Sequence, residues 1–283
     1  MIRKLETIVL AAPTVRINRI YPAYKAFYER FCAAAVPFHP IKTFALPDVW
    51  VRDFLPVQNR RTGKLYQPFF NPCYANYTFV FTSVIRQAAE KWLPAPSCEV
   101  QIDGGNMIWG PNQTLFCLER PAIFRKSVRG EQGFVEYELK RATGAKKIVW
   151  LPRETGDKIG HIDGFMQFVG NTLLVSDERF DPYLKSLLER RLSIVGAACP
   201  NIQIRFLPCV PDTADKTGLS ARGIYVNFLE TSRAIFVPQY GLPQDTAVIG
   251  IMKEISPKPI MAVDCTAVSR YGGAIHCLTK EYV

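Results

Sequence analysis

Residues 164–176, GFMQFVGNTLLVS, are two short apolar runs on either side of Gly170-Asn171. Glycine and asparagine tolerate the left-handed backbone of a tight turn, so the stretch reads as a β-hairpin with strands over 164–169 and 172–176. Beyond it, 182–195 (PYLKSLLERRLSIV) spaces its apolar residues at a helical period, and 202–207 (IQIRFL) is short enough for one more strand. The unit is strand, strand, helix, strand.

The same order recurs on both sides. Upstream, strands over 98–108 and 114–118 flank Gly110-Pro111-Asn112, followed by a helix over 131–143 and a strand over 147–151. Downstream, strands over 223–229 and 234–238 lead to a helix over 244–253 and a strand over 259–263. Nearer the start, 54–58 and 65–69 form a hairpin, 83–92 a helix and 99–102 a strand. A fifth unit takes 5–10, the helix pattern 21–35, the strand 41–46 and the terminal segment 274–279, which joins the two ends of the sequence. Radial repetition of short sheets covers their edges and turns their entry points toward one axis, so this is an α/β chain of five ββαβ blades in a single domain, 1–283.

Composition narrows the function classes. With 283 residues, 48% of them hydrophobic, the chain can bury a large core, and no linker or charge block divides it. A formal charge of +10 suits an acidic partner. The charges are scattered, however, and the basic cluster Arg125, Lys126 and Arg129 has no aromatic-basic groove pattern around it, which argues against nucleic acid. No apolar run is long enough to span a membrane and no signal-peptide core is present, so a cytoplasmic protein without a membrane partner is expected. Eight cysteines without a CxxC pair and only three histidines favour a reducing compartment and no metal site.

Polar residues of chemical interest fall near the blade entry points: Asp53, Asp103, Asp163, Asn227 and Cys277 recur every 50 to 64 residues. Alone, each has a plain structural reading. Cys277 is a small hydrophobe, and Asp103 and Asp163 precede glycine as turn residues do. Asp53 is a surface ion-pair candidate, and His161 a hydrogen-bonded histidine at a strand start. On a strand, His161 and Asp163 share one face. Carboxylates, an imidazole and a thiol brought together make a cation site with a nucleophile, because each aspartate can accept two parallel hydrogen bonds from a planar guanidinium.

The motifs WVRD (50–53), DGGN (103–106), GHID (160–163), YVNF (225–228), IFVPQYGLPQD (235–245) and GGAIHC (272–277) resemble, in the same order along nearly the whole chain, the agmatine deiminase and bacterial peptidylarginine deiminase family. The resemblance implies a five-bladed α/β propeller (pentein) and hydrolytic deimination of agmatine, or of free or peptide-bound arginine, with a link to putrescine biosynthesis. It implies Cys277 as nucleophile, His161 as acid and base, and Asp53 and Asp163 as holders of the guanidinium nitrogens. Asp103, Trp50, Asn227 and Gly273 line the substrate, with no cofactor and no metal; a homo-oligomer is compatible with it. Four positions depart from the usual pattern: Asp103 stands where glutamate is commoner, Tyr271 and Ala274 replace glycine and asparagine, and Gln167 replaces an arginine. Arg52, Arg153 and Arg222 are candidates for a carboxylate clamp. An amidinotransferase using the same thioether, and an idle binding propeller, are the alternative readings.

Overall fold

The computed structural model describes residues 5–72, 79–119, 132–157 and 159–283. Cys73 and the Arg125, Lys126, Arg129 cluster lie outside them. The described chain divides into two compact units, residues 53–206 and residues 1–52 with 207–283.

The first unit carries three three-stranded sheets. Strands β3 (Val57–Gln58), β4 (Leu65–Pro68) and β5 (Ser97–Cys98) form one, and β6 (Ile108–Gly110), β7 (Thr114–Leu118) and β8 (Lys147–Leu151) the next. Strands β9 (Met166–Val169), β10 (Thr172–Asp177) and β11 (Gln203–Pro208) form the third. In the first two the entry strand pairs antiparallel with the middle strand and the last strand parallel to it, as a ββαβ unit with one helical crossover requires. The crossover helices are α4 (Phe79–Trp92), α5 (Gln132–Thr143) and α6 (Pro182–Ala198). Helix α6 starts at Pro182 because Asp181 caps it, its carboxylate accepting from Tyr183 N at 2.8 Å and Leu184 N at 3.0 Å.

Strand β7 explains why the middle strands read as unbroken apolar runs. Leu115 and Cys117 enter a core with Val100, Ile102 and Leu139, whereas Phe116 and Leu118 enter another with Phe168, Leu173 and Leu188. A strand covered on both faces needs no polar alternation. Phe116 and Phe168 stack at 5.4 Å across the second core.

The second unit holds two sheets of the same pattern. One is β12 (Leu229–Glu230), β13 (Ile235–Gln239) and β14 (Ile260–Asp264), with helix α7 (Asp245–Ile255) between the last two. The other is β15 (Lys280–Tyr282), β1 (Thr7–Ala11) and β2 (Ile41–Phe44), crossed by α1 (Val15–Ile20) and α2 (Tyr24–Ala35). The two ends of the sequence do pair, Thr7 opposite Tyr282, but through residues 280–282 and not 274–279. Phe31 of α2 packs on Phe236 of β13 at 5.2 Å. Among the described residues no helix is long and apolar enough to cross a membrane.

The expected strand bounds are corrected at six places around the blade entries. Residues 51–54 are a helical turn, α3 (Val51–Phe54), and 275–278 another, α8 (Ile275–Leu278). Residues Gly104–Asn106 and Ile162–Gly164 are 3₁₀ turns, the strand expected over 99–102 is not formed, and of 223–229 only Leu229 is in a strand. Side-chain hydrogen bonds take over from the ladder there. Asn106 donates to the Leu118 carbonyl at 3.2 Å and accepts from Leu118 N at 2.9 Å, satisfying the end of β7.

Candidate active site

Within the unit of residues 53–206, Asp53, His161 and Asp163 converge on the backbone of Gly105, with Asp103 behind His161. Asp53, in the turn α3, accepts from Gly105 N at 2.9 Å. A side chain at Gly105 would put its first carbon 2.6 Å from His161 Nδ1, 2.9 Å from Asp53 Oδ1 and 3.1 Å from Asp163 Oδ2. The DGGN glycine is therefore required by a close approach of functional groups. His161 Nε2 lies 3.0 Å from Asp103 Oδ2, and its Nδ1 lies 3.6 Å from Asp53 Oδ1. With Nε2–H donating to Asp103, the imidazole is oriented and Nδ1 faces the other two carboxylates.

Contrary to the expectation from their spacing, His161 and Asp163 do not share a strand face. His161 is the extended residue that opens the 3₁₀ turn and Asp163 sits inside it. Four buried groups, three of them acidic, have an electrostatic cost. Burial pushes the Asp53 carboxyl up to about 6; the His161 imidazole and the Gly105 N–H oppose this, and the Asp103 and Asp163 charges add to it. A bound planar cation would relieve that cost. Asp103, read from sequence as a substrate residue, is the hydrogen-bond partner of His161, and its short side chain suffices for that.

In the other unit, Cys277 occupies the turn α8 and is 8% exposed. Asn227 organises it: Nδ2 donates to Cys277 Sγ at 3.1 Å, while Oδ1 accepts from Ala274 N at 3.0 Å and Cys277 N at 3.3 Å. Gly273 is a second required glycine. A side chain there would meet Trp50 Cζ3 at 2.6 Å and Cys277 Sγ at 3.0 Å. Trp50 thus lies beside the thiol, with Tyr21 edge-on at 5.9 Å and Tyr271 beyond at 5.4 Å from Tyr21. Tyr21 donates to the buried Asp48 at 3.0 Å, and the Tyr271 hydroxyl accepts from Ala23 N at 3.2 Å.

The clamp candidates fare differently. Arg52 is 5% exposed and committed to Glu281 and to the His276 carbonyl. Arg153 donates to the Asp157 carbonyl and packs against Gly160, and Arg222 donates to the Tyr240 carbonyl at 3.4 Å. Sequence reasoning missed Glu281, Asp48 and Tyr21; no motif marks them, because their roles come from buried contacts across long sequence separations.

A family model described as Porphyromonas-type peptidyl-arginine deiminase matches residues 2–282. The chain belongs to this family. Among curated relatives, the agmatine deiminase of Stutzerimonas stutzeri is 27% identical over 207 residues, covering 64% of this chain and 56% of the relative. The chain spans about half the length of the first curated relatives it matches. Among solved structures, a cysteine-to-serine agmatine deiminase of C. jejuni with substrate bound superposes with a TM-score of 0.76 at 17% identity, covering 98% of this chain and 93% of the other. Dimethylarginine dimethylaminohydrolase (DDAH) of Pseudomonas aeruginosa, a cysteine-to-serine mutant complexed with citrulline, superposes at 0.61 with 14% identity, covering 98% and 99%. These likenesses show the fold, and the family member has the mixed α/β pentein fold of five ββαβ units that its motifs implied.

Proposed function

We propose that this family member is a hydrolase that deiminates a guanidino group, acting as one domain in the cytoplasm with agmatine, free arginine or a peptide arginine as substrate. The observation that carries the reading is the convergence of Asp53, Asp163 and His161 on Gly105, an anionic, buried receptor for a planar cation. The guanidinium carbon is resonance-stabilised and resists water, so a thiolate intermediate divides the barrier.

In this mechanism the Cys277 thiolate adds to the guanidinium carbon while Asp53 and Asp163 accept hydrogen bonds from its nitrogens. His161, oriented by Asp103, gives its proton to the departing nitrogen and ammonia leaves, forming an amidino-thioether. His161 then takes a proton from water as the hydroxide adds to the same carbon, and the thiolate departs to release the ureido product. The Asn227 amide supports the thiolate by donating to Sγ. The titratable groups in these steps are ones the chain itself supplies. Agmatine, with no α-carboxylate, is favoured over free arginine by the commitment of Arg52 to Glu281.

The test measures ammonia and ureido product from agmatine, arginine and an arginine peptide with the wild type and Cys277→Ala, with mass spectrometry of the Cys277 peptide. Release that depends on Cys277 supports the reading and names the substrate. A thiol adduct resolved only by an added amine would point to an amidinotransferase, and release that survives Cys277→Ala would refute the nucleophile.

A further inference from the structure

The mechanism leaves unused an ion pair close to Cys277, between the buried Arg52 and the partly buried Glu281. Arg52 places Nε 3.0 Å from the His276 carbonyl oxygen and its two terminal nitrogens on the two oxygens of Glu281, in a forked pair. Lys280 Nζ donates to the Arg52 carbonyl at 3.3 Å, so residues 280 and 281 of β15 hold Arg52 from two sides. The His276 carbonyl belongs to the peptide group whose N–H is that of Cys277. That N–H donates to Asn227 Oδ1 at 3.3 Å. The peptide plane leading into the thiol is therefore gripped at both ends, by Arg52 on its oxygen and Asn227 on its nitrogen. Thr279 N donates to the same carbonyl at 3.3 Å, which closes the turn α8 around the residue.

Resting on the reading of Cys277 as the nucleophile, we infer that Arg52 and Glu281 form a positioning pair for that thiol: the fork fixes the 276–277 peptide, and its balanced charge sets the field in which the thiolate forms. A planar guanidinium bonds one carbonyl and both oxygens of one carboxylate at once, which a lysine ammonium cannot match in geometry. The charged and titratable groups around the pair are Lys280, the His276 imidazole and the Tyr282 phenol, and Arg52 and Glu281 cancel one another. Neither side chain has to touch substrate in this role, and the pair removes Arg52 from the clamp role.

Two measurements on the full chain test this. In steady-state kinetics, Arg52→Lys keeps the charge but loses the fork; kcat falls about tenfold or more while KM stays within about twofold, because misplacing a reacting group costs turnover more than binding. In the second, carboxymethylation of the Cys277 peptide by iodoacetate at pH 7 is timed by mass spectrometry. Arg52→Met leaves Glu281 unbalanced and slows the rate about threefold or more, whereas Glu281→Gln leaves Arg52 unbalanced and raises it. Both variants remove one half of the same pair, so a merely structural role moves the two rates in the same direction. Rates that move together, or an Arg52→Lys kcat within about twofold of wild type, overturn the inference. Because alkylation needs no substrate, it still reports on the pair if turnover by the wild type proves independent of Cys277, an outcome that sinks the nucleophile reading instead.

Discussion

At Gly105 the volume that a side chain would fill is the meeting point of an imidazole nitrogen and two carboxylate oxygens. Gly105→Ala should displace all three by tenths of an ångström with little loss of backbone freedom, since Gly105 is not in the left-handed region. We expect turnover to fall about 100-fold, the scale of a misplaced reacting group. Circular dichroism should show an unchanged fold, and activity near wild type would mean that the cluster is not a receptor. Asn227 has a different part, because its amide N–H is the donor placed on Cys277 Sγ. Asn227→Ala removes that donor and the acceptor for two backbone N–H groups; alkylation of Cys277 and turnover should both slow about tenfold or more, and equal alkylation rates in the two proteins would refute the thiolate role. These residues were legible because polar side chains interrupt apolar sequence in short words, DGGN, GHID and GGAIHC. The Arg52–Glu281 pair was not, because a contact between residues 229 positions apart leaves no local pattern.

Helices and central strands were legible within a few residues, since burial on one stripe or on both faces writes a period into the sequence. The entry strands were misread for a physical reason. Val100, Ile102, Val226 and Phe228 alternate with polar residues as a strand would, and each is buried, yet the intervening polar side chains bond inward in place of the ladder. Asn106 is the clearest case, its amide bridging both backbone groups of Leu118 from a 3₁₀ turn. Asn106→Ala strands both Leu118 groups in a buried setting, at about 1–3 kcal/mol for each unsatisfied group. We expect a loss of about 2–4 kcal/mol in urea unfolding. Asn106→Asp should lose at least as much, because its carboxylate is a buried charge and sets a second acceptor against the Leu118 carbonyl. An Asn106→Asp variant as stable as wild type would show that the donor half of the bridge contributes nothing.

For the molecule as a whole, the formal charge of +10 conceals two carboxyls, the buried Asp53 and the partly buried Glu281, that are shifted in opposite directions. Although burial alone would raise the Glu281 carboxyl, the Arg52 guanidinium brings it down from 4.5 to about 2. Its contribution to stability is complete above pH 4.5 and is lost as the pH falls toward 2. Asp53 behaves oppositely. Raised from 3.8 to about 6, it makes the folded state bind more protons than the unfolded chain across that window, so stability declines as the pH rises through it. Two conservative amides separate these effects. Glu281→Gln should be less stable than wild type at pH 7 by about 2 kcal/mol, and the gap should narrow below pH 4. Asp53→Asn keeps an oxygen to accept from Gly105 N but carries no charge, so at pH 7 it should be more stable than wild type by about 2 kcal/mol while losing turnover. That gain should vanish by pH 4. Urea midpoints for the three proteins at pH 4, 5, 6 and 7 decide the matter: an Asp53→Asn variant no more stable than wild type at pH 7 would show that the carboxylate cluster carries no strain for a cationic substrate to relieve.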